Sequence, residues 1–302
     1  MLTGPPPRVL EMVGARAADV VVLKDIPEHN ASWLIGTGLV LRRYHHGATP
    51  ADLAYEHTVL RYLADAGWVV PVPVGGLVED AGLWYCLTRH VPGRAVSGES
   101  PAQQARRGRD LARLHVALRG LGERIGQRPG WRAQHDGVSV HTAVDWQACV
   151  HGLTAASPRL GRWASAAAED VRAALAAVGA DRLPLMVVHG DFAEWNVHYR
   201  RRHLAGVIDF GLTHLDSRPY ELAVARTWRA PDAVGAYQRE LARSGWPLTA
   251  LEEDAINPVY RAFRLDMTAW LLDQGLRARK FDLPVIERQL ARTGTTPPRH
   301  NH

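Results

Sequence analysis

The spacing of apolar residues divides the chain into a strand-rich first third and a helix-rich remainder. Short apolar runs rich in β-branched residues predict strands at residues 20–23, 32–35, 39–44, 69–73 and, on either side of a turn, within 77–87. Glycine-containing turns are predicted at residues 36–38, 75–76 and 80–82. Leu53, Leu60 and Leu63 recur at helical spacing and predict a helix over residues 50–66. The first third is therefore predicted to be a sheet with one main helix.

Beyond residue 93 the apolar spacing is mainly helical. Leu111, Leu114 and Leu118 share one face of a helix predicted over residues 102–118. The stretch 119–140 is rich in glycine and charge and is predicted to be an irregular insertion. Helical spacing returns near residues 252–254 and 261–272. Strands followed by a run of helices place the chain in the α+β fold class.

One short segment carries a pattern of polar residues typical of phosphoryl transfer. The apolar run 185–188 predicts a strand that brings His189 and Asp191 to a sheet edge. Asn196 follows Asp191 after four intervening residues, and Asp209 opens the sequence Asp-Phe-Gly. A kinase uses one carboxylate to orient and deprotonate the attacking hydroxyl, and an amide oxygen and a second carboxylate to hold Mg²⁺. We assign Asp191 and His189 to catalysis and Asn196 and Asp209 to the metal.

The two metal residues flank a predicted hairpin. Apolar runs at 197–199 and 204–208 enclose the polar stretch 200–203. A hairpin places Asp209 beside Asn196, so that one magnesium ion can touch both side chains. Taken alone, Asp209 fits the alternative of a buried strand whose acidic residue caps a turn. The joint pattern favours the metal site.

These motifs support a resemblance to a known family. The sequences His-Gly-Asp-x-x-x-x-Asn at 189–196 and Ile-Asp-Phe-Gly at 208–211, with glycine where protein kinases usually have arginine, resemble the aminoglycoside phosphotransferase and choline kinase branch of the kinase-like fold. The resemblance implies a bilobal protein-kinase-like fold with an N-terminal antiparallel sheet and a larger, mostly helical C-terminal lobe. The expected lobes are residues 1–91, which bind the nucleotide, and 92–302, which bind the acceptor and carry catalysis, joined by a hinge near 88–93.

The resemblance also implies a nucleotide site in the first lobe. Asn30 ends the loop 25–30, which is expected to cover the phosphates of ATP or GTP. Alternation along the third strand puts Arg42 where the family places a phosphate-binding lysine, with Glu56 as its partner on the following helix. Arg43 is the alternative for this role. The hinge residues expected to contact the purine through their backbone are Thr88, Arg89, His90 and Val91.

Three residues are candidates for contacting the acceptor. Trp195 stands in the catalytic loop, where the family commonly has a small residue, and either packs beneath the loop or faces the acceptor. Asp266 and Trp270 are four residues apart on one predicted helix face, where acidic groups would suit a cationic acceptor. A solvated helix face is the alternative. His115, in Leu-Ala-Arg-Leu-His, and Glu221 are interpreted as structural residues, Glu221 as an anchor for the catalytic loop.

Composition limits the remaining classes of protein. The chain has 302 residues, of which 46% are hydrophobic and 22% charged, as in an ordinary globular protein. Two cysteines, Cys86 and Cys149, are too few for a disulfide scaffold. No signal-like start or membrane-spanning apolar run occurs, so neither export nor membrane insertion is expected and the cytoplasm is the expected location. A monomer or homodimer is expected.

The net charge of +5 is compatible with nucleic-acid binding, but its distribution is not. Nearly all basic residues are arginine, and the runs 106–107 and 200–202 are short and lack interleaved aromatic residues. We interpret these runs as solvated faces and expect no nucleic-acid partner.

The predicted function is magnesium-dependent transfer of a nucleotide γ-phosphate to a small-molecule hydroxyl. The leading acceptor class is an antibiotic, aminoglycoside-like or another natural product, which would serve resistance or self-protection. The alternative is a metabolic kinase for an amino alcohol, a homoserine-like compound or a sugar, since such an enzyme would share every motif. A nucleotide-binding pseudokinase regulator is disfavoured because His189, Asp191, Asn196 and Asp209 are all present.

Overall fold

A computed structural model describes residues 4–24, 30–45, 47–96, 100–227 and 231–296. The chain forms two compact units. The sheet unit comprises Met1–Gly98 and Glu194–Gly211, and the helical unit comprises Glu99–Ala193 and Leu212–His302. The segment 194–211 thus groups with the first 98 residues, although it follows Asp191 in the chain. The predicted lobe boundary at residues 91 and 92 stays a prediction.

The first 98 residues of the sheet unit contain helices α1 (Pro7–Met12) and α2 (Pro50–Asp65) and strands β1 (Val20–Lys24), β2 (Ala31–Ile35), β3 (Leu39–Arg43), β4 (Pro73–Asp80) and β5 (Leu83–Arg89). These strands form an antiparallel sheet in the order β1-β2-β3-β5-β4. Trp33 and Leu41 pair across β2 and β3 and are almost fully buried. The α+β class and the main helix of the first lobe are confirmed.

Helix α2 begins where its sequence favours a helix start. Pro50 occupies the first turn, and the Thr49 hydroxyl accepts the Asp52 N–H at 3.2 Å. The helix buries Leu53, Leu60 and Leu63, as their spacing predicts. It also buries Glu56 and His57, which face the third strand.

The prediction of a strand at residues 69–73 is wrong. Strand β4 begins at Pro73, and Gly75-Gly76 lies within it, not in a turn. Its register against β5 shifts between Val74 and Val78, so the two glycines form an irregularity inside the strand. Trp68, Val70 and Val72 nevertheless make backbone hydrogen bonds in the same region.

A hairpin completes the sheet unit. Strands β7 (Val197–Arg200) and β8 (His203–Val207) pair antiparallel, as the polar stretch between them predicts. The Val207 N–H donates to Val69 O at 3.0 Å, and Tyr199 exchanges two backbone hydrogen bonds with Arg94. These bonds fix the hairpin to the part of the sheet unit formed by the first 98 residues of the chain.

The helical unit is built from eight helices and a two-stranded sheet among its described residues. Its elements are α3 (Pro101–Leu118), α4 (Leu121–Ile125), α5 (Trp146–Ala156), α6 (Pro158–Ala177), α7 (Arg218–Thr227), α8 (Pro231–Arg243), α9 (Ala250–Ala278), α10 (Leu283–Ala291), β6 (Leu185–Val188) and β9 (His214–Ser217). Helix α3 packs on α8 so closely that a Cβ at Gly108 would meet Ala233 O at 2.0 Å. Helices α6 and α7 pack on α9.

Two negative findings apply to the described parts of the chain. None of the described helices is long and apolar enough to cross a membrane. Cys86 and Cys149 are both buried as free thiols, and burial raises the pKa of each to about 11. Neither thiol is activated for nucleophilic chemistry.

Candidate active site

In the helical unit, strand β6 leads directly into the predicted catalytic loop, which begins at His189. Val188 at its end pairs with His214 of β9, and its carbonyl accepts the Thr213 hydroxyl at 2.6 Å. Val187 and Val188 are fully buried, so the strand is a fixed base for the residues that follow. His189, Gly190 and Asp191 leave its end, as predicted from the apolar run.

Gly190 is required by its backbone geometry. Its φ of +86° lies in the left-handed region, and an added Cβ would meet Leu212 O at 2.2 Å. A larger residue would therefore push the segment after Gly211 away from the loop. The close approach of Leu212 therefore explains why this chain has glycine at the position where protein kinases usually have arginine.

Glu221, near the start of α7, holds the loop by its carboxylate. The backbone N–H groups of His189, Gly190 and Phe192 donate to it at 2.7, 3.0 and 3.3 Å. Burial alone would raise the pKa of Glu221, but the neighbouring imidazoles of His115 and His189 and the Gly190 N–H lower it. The glutamate therefore stays ionised at neutral pH, and its predicted anchoring role is confirmed.

Two further side chains support this anchor from α3. His115 is fully buried, with Nε2 3.8 Å from the Glu221 carboxylate and Nδ1 2.7 Å from the Tyr237 hydroxyl. Arg107 is also buried and donates to Phe192 O at 2.9 Å. The interpretation of Arg107 as part of a solvated basic face is wrong, because helix packing turns it towards the loop.

His189 and Asp191 differ in their surroundings. The His189 ring is fully buried, accepts the Asp191 N–H at 3.1 Å and packs edge-to-face on Phe192. Such a ring shapes the loop and is screened from any acceptor. Asp191 is partly exposed. We therefore retain Asp191 as the candidate base and propose a positioning role for His189.

In the sheet unit, the hairpin brings together the two predicted metal residues. The Ile208 N–H donates to Asn196 O at 2.9 Å, so Asp209 follows directly after the residue paired with Asn196. Asp209 has φ of +60°, a left-handed conformation that non-glycine residues rarely adopt. Asn196 is buried, whereas the Asp209 side chain is 34% exposed. An exposed carboxylate beside an amide suits a site for a hard cation.

Arg42 joins both acidic partners that a kinase site requires. Its Nη1 lies 3.4 Å from Glu56 Oε1, and its Nη2 donates to Asp209 Oδ1 at 2.8 Å. Burial alone would lower the pKa of Arg42, but the two carboxylates raise it, so the guanidinium is permanently charged. The neighbouring Arg43 lies near the Trp33 ring, with Cζ 6.0 Å from its centroid.

Asn30 lies in the same cluster. A Cβ built at Gly211 would be 3.0 Å from Arg42 Nη2, 3.3 Å from Asp209 Oδ1 and 3.5 Å from Asn30 Nδ2. The side-chain Oδ1 of Asn30 also accepts the His45 N–H at 2.9 Å. The predicted residues Asn30, Arg42 and Asp209 therefore converge. The rest of the predicted phosphate loop, residues 25–29, lies outside the described residues.

The predicted hinge residues are partly engaged in the sheet. The N–H groups of Arg89 and His90 donate to Val72 O and Gly38 O, each at 2.9 Å. Thr88 is buried and its hydroxyl donates to Val40 O, while Val91 is buried. Contact of this segment with a purine stays a prediction.

The three candidate acceptor residues have different environments. Trp195, in a short turn of the sheet unit, is 41% exposed. In the helical unit, Trp270 is 42% exposed, whereas Asp266 is buried and accepts the Val140 N–H at 3.2 Å. Asp266 and Trp270 therefore do not share one solvated face. An acceptor role for these residues stays a prediction.

Burial of Asp266 gives a pH-dependent stability. Burial raises its pKa from 3.8 to about 6, against the hydrogen bonds from Ser139 and Val140. Between these values the folded protein binds more protons than the unfolded chain, so the contribution of Asp266 to stability falls as pH rises. The difference in free energy of unfolding between Asp266→Asn and the parent should therefore shift in favour of the variant as pH rises from about 4 to 7, by on the order of 3 kcal/mol. Urea unfolding at both pH values measures this, and an equal difference at both would contradict it.

Several side chains that shape the loop were not predicted from the sequence. Thr213 and Arg107 contact the carbonyls of Val188 and Phe192, and the buried Arg128 donates to Thr213 O at 2.8 Å. The Leu-Ala-Arg-Leu-His motif pointed to α3 but not to Arg107. The insertion 119–140 that carries Arg128 had no motif to mark it.

The described residues fit a magnesium site completed by phosphate. Among them, no group of three or more His, Cys, Asp and Glu side chains is placed to hold a metal by itself. Asn196 and Asp209 offer two oxygen ligands at the end of one hairpin. Mg²⁺ commonly uses one or two protein ligands together with substrate phosphates and water. Two protein ligands are therefore sufficient for this kind of site.

Comparison with known protein families identifies the family to which this sequence is similar. The sequence matches the phosphotransferase enzyme family over residues 23–255, which include every motif residue of the two units except those at Asp266 and Trp270. Among curated proteins, the homoserine kinase of Azorhizobium caulinodans is 27% identical over 78% of this chain and 74% of its own. The homoserine kinase of Caulobacter sp. strain K31 is 28% identical over 90% of this chain and 88% of its own.

Solved structures share the fold at lower identity. A thermostable mutant of aminoglycoside phosphotransferase APH(4)-Ia, in ternary complex with ADP and hygromycin B, is 19% identical and has a TM-score of 0.64. Aminoglycoside 2′-phosphotransferase-IIIa, in complex with GDP, is 16% identical and has a TM-score of 0.63. Each alignment covers 95% of both chains. The predicted kinase-like fold and the resemblance to aminoglycoside phosphotransferases are confirmed.

Proposed function

The chain belongs to the phosphotransferase enzyme family, and we propose that it transfers the γ-phosphoryl group of ATP or GTP to the hydroxyl of a small hydroxy amino acid of the homoserine type. The main structural support for phosphotransfer is the pairing of Arg42 with both Glu56 and Asp209. A kinase-like site requires a cation fixed by a glutamate and an aspartate for the metal.

Asp191 is the proposed base of the reaction. It accepts the acceptor's proton as the hydroxyl oxygen forms its bond to phosphorus and the bond from phosphorus to the β,γ-bridging oxygen breaks. The loop that carries Asp191 is held by three N–H bonds to Glu221, so the carboxylate is oriented before the acceptor arrives. The spacing of Asp191 from Asn196 is the basis for assigning them to one reaction.

Asn196 and Asp209 would hold magnesium, which when bound neutralises charge on the phosphates. Arg42 is proposed to bind the phosphates with the donors that its two carboxylate partners leave unused, since a guanidinium has five N–H groups. Asn30 lies close enough to Arg42 to take part in the same phosphate contacts.

The homoserine-like acceptor is supported by relatives and by charge. The two homoserine kinases above extend over most of this chain at higher identity than the aminoglycoside phosphotransferases. The net charge of +5 repels a polycationic acceptor at long range but not a zwitterion. Burial of Asp266 also removes one acidic group that was a candidate contact for a cation.

An antibiotic acceptor is the second candidate. It is favoured by structural neighbours that were solved with hygromycin B or kanamycin and that cover at least 94% of this chain. Those neighbours share the fold at 14–19% identity, which leaves the acceptor open. A resistance or self-protection role depends on this candidate.

Acceptor-dependent nucleotide consumption distinguishes the two candidates. We expect kcat/KM with L-homoserine or a related hydroxy amino acid to exceed that with hygromycin B or kanamycin, and Asp191→Asn to lower turnover by about 10²-fold or more. Turnover with an aminoglycoside and none with any hydroxy amino acid would refute the homoserine-type assignment and leave phosphotransfer intact. Parallel assays with ATP and GTP identify the donor.

A further inference from the structure

Arginine at position 42 poses a physical problem for a phosphate site. A lysine ammonium is a compact charge on a flexible stem, whereas a guanidinium is planar and needs its plane held to present its donors correctly. Glu56 and Asp209 fix two of the nitrogens of Arg42, at 3.4 and 2.8 Å. These two ion pairs hold the edge of the guanidinium plane. The tilt of the plane therefore depends on a group that packs against its face.

Tyr44 supplies that face. It lies two residues after Arg42 and directly after the end of β3, where its N–H donates to Trp84 O at 2.8 Å and continues the pairing with β5, so both side chains project to the same side. The Arg42 Cζ is 5.1 Å from the centroid of the Tyr44 ring, within the range of a cation–π contact. Tyr44 is 2% exposed and packs with Ala48, Leu53 and Cys86. The ring is therefore a rigid surface.

His57 orients the tyrosine. Its Nε2 lies 2.9 Å from the Tyr44 hydroxyl, and its own position on α2 is next to Glu56. Burial, together with the positive charges of Arg61 and Arg42, lowers the pKa of His57 to about 4. The imidazole is thus neutral at physiological pH and adds no repulsion to the guanidinium. One helix turn therefore contributes both the ion-pair partner of Arg42 and the support for its aromatic platform.

We propose that Tyr44 is a positioning residue for the nucleotide phosphates, and that its ring, held by His57, adapts this site to arginine in place of lysine. The proposal rests on the proposed function, because it assumes that Arg42 contacts phosphate. It predicts an energetic coupling between positions 42 and 44 that a residue serving only the core would not show. A lysine at position 42 has no plane for the ring to hold.

Calorimetry with a non-hydrolysable ATP analogue and Mg²⁺ measures this coupling. Tyr44→Leu should raise the Kd roughly threefold to thirtyfold, whereas Tyr44→Phe, which keeps the ring, should change it less than about threefold. In the Arg42→Lys background, Tyr44→Leu should change the Kd by less than about twofold. Tyr44→Met provides the same comparison if the leucine variant does not fold.

The outcomes separate this proposal from the proposed function. An equal loss of affinity from Tyr44→Leu in both backgrounds would assign Tyr44 to packing alone and overturn the proposal. No loss in the parent background would overturn it as well. Failure of the parent protein to bind Mg·nucleotide would overturn the proposed function first, and is recognised because it appears before any substitution is made.

Discussion

Asp191→Ala is expected to lower kcat by about 10²–10⁴-fold, the typical contribution of a positioned general base. The backbone of the loop should survive the change, since Glu221 and Arg107 hold it through main-chain groups of His189, Gly190 and Phe192. Nucleotide binding should therefore be largely kept. Steady-state assays with the best acceptor, paired with calorimetry for nucleotide, measure the two effects separately.

A matched control for this variant is Asp254→Ala, which removes an exposed carboxylate from α9. It should leave both kcat and nucleotide affinity unchanged. Full activity of Asp191→Ala would remove Asp191 from the reaction. Loss of nucleotide binding together with kcat would indicate a collapsed loop instead.

Asp209→Ala is expected to abolish the dependence of nucleotide binding on magnesium. The variant removes the accessible carboxylate of the hairpin and also one of the two ion pairs of the buried Arg42. Mg·nucleotide affinity should fall by about 10²-fold or more, because a charged ligand group and the orientation of Arg42 are lost together. Titrations with and without Mg²⁺ should then give the same weak binding.

Glu79→Ala is the matched control, since Glu79 is an exposed carboxylate of β4 in the same unit. It should retain the parent's response to magnesium. A response to magnesium in Asp209→Ala equal to that of the parent would exclude Asp209 as a ligand. An unfolded variant is identified by its thermal transition and replaced by Asp209→Asn.

Local patterns were sufficient to predict most of the sheet unit. Short apolar runs located β1, β2 and β3, and the polar stretch 200–203 located the hairpin, because strand pairing there connects neighbours in the chain. The exception is β4, where Gly75-Gly76 has the composition of a turn but lies within the strand, because Val74 and Val78 on either side of the two glycines pair with β5. Tertiary pairing overrode local preference at that point.

The side chains that hold the site were harder to predict than the motif itself. Arg107 and Asp266 both have charged side chains on helices, and sequence alone placed them on solvated or acceptor-facing surfaces. Helix packing buries both. Burial of a charged group depends on partners distant in sequence, here Phe192 for Arg107 and Val140 for Asp266. The spacing of residues along the sequence does not reveal such distant partners.

The surroundings of Arg42 show which contacts can be predicted from the sequence and which are revealed only by the fold. Alternation and the resemblance selected Arg42 and Glu56 as a pair, and the structure joins them at 3.4 Å. The ion pair with Asp209, the contact with the Tyr44 ring and the proximity of Asn30 emerge only from the fold, because they bring β3 together with the hairpin and with the start of β2. The proposed phosphate site is thus specified by few motif residues and by several supporting ones.

The most direct test of phosphotransfer is mass spectrometry of the acceptor after incubation with the purified protein, ATP or GTP, and Mg²⁺. We expect a small hydroxy compound to gain one phosphoryl group, in one-to-one proportion to the nucleoside diphosphate formed, and Asp191→Asn to form both products more slowly, by about 10²-fold or more. Tight binding of Mg·nucleotide with no phosphorylated product from hydroxy amino acids, amino alcohols, sugars or aminoglycosides would contradict it.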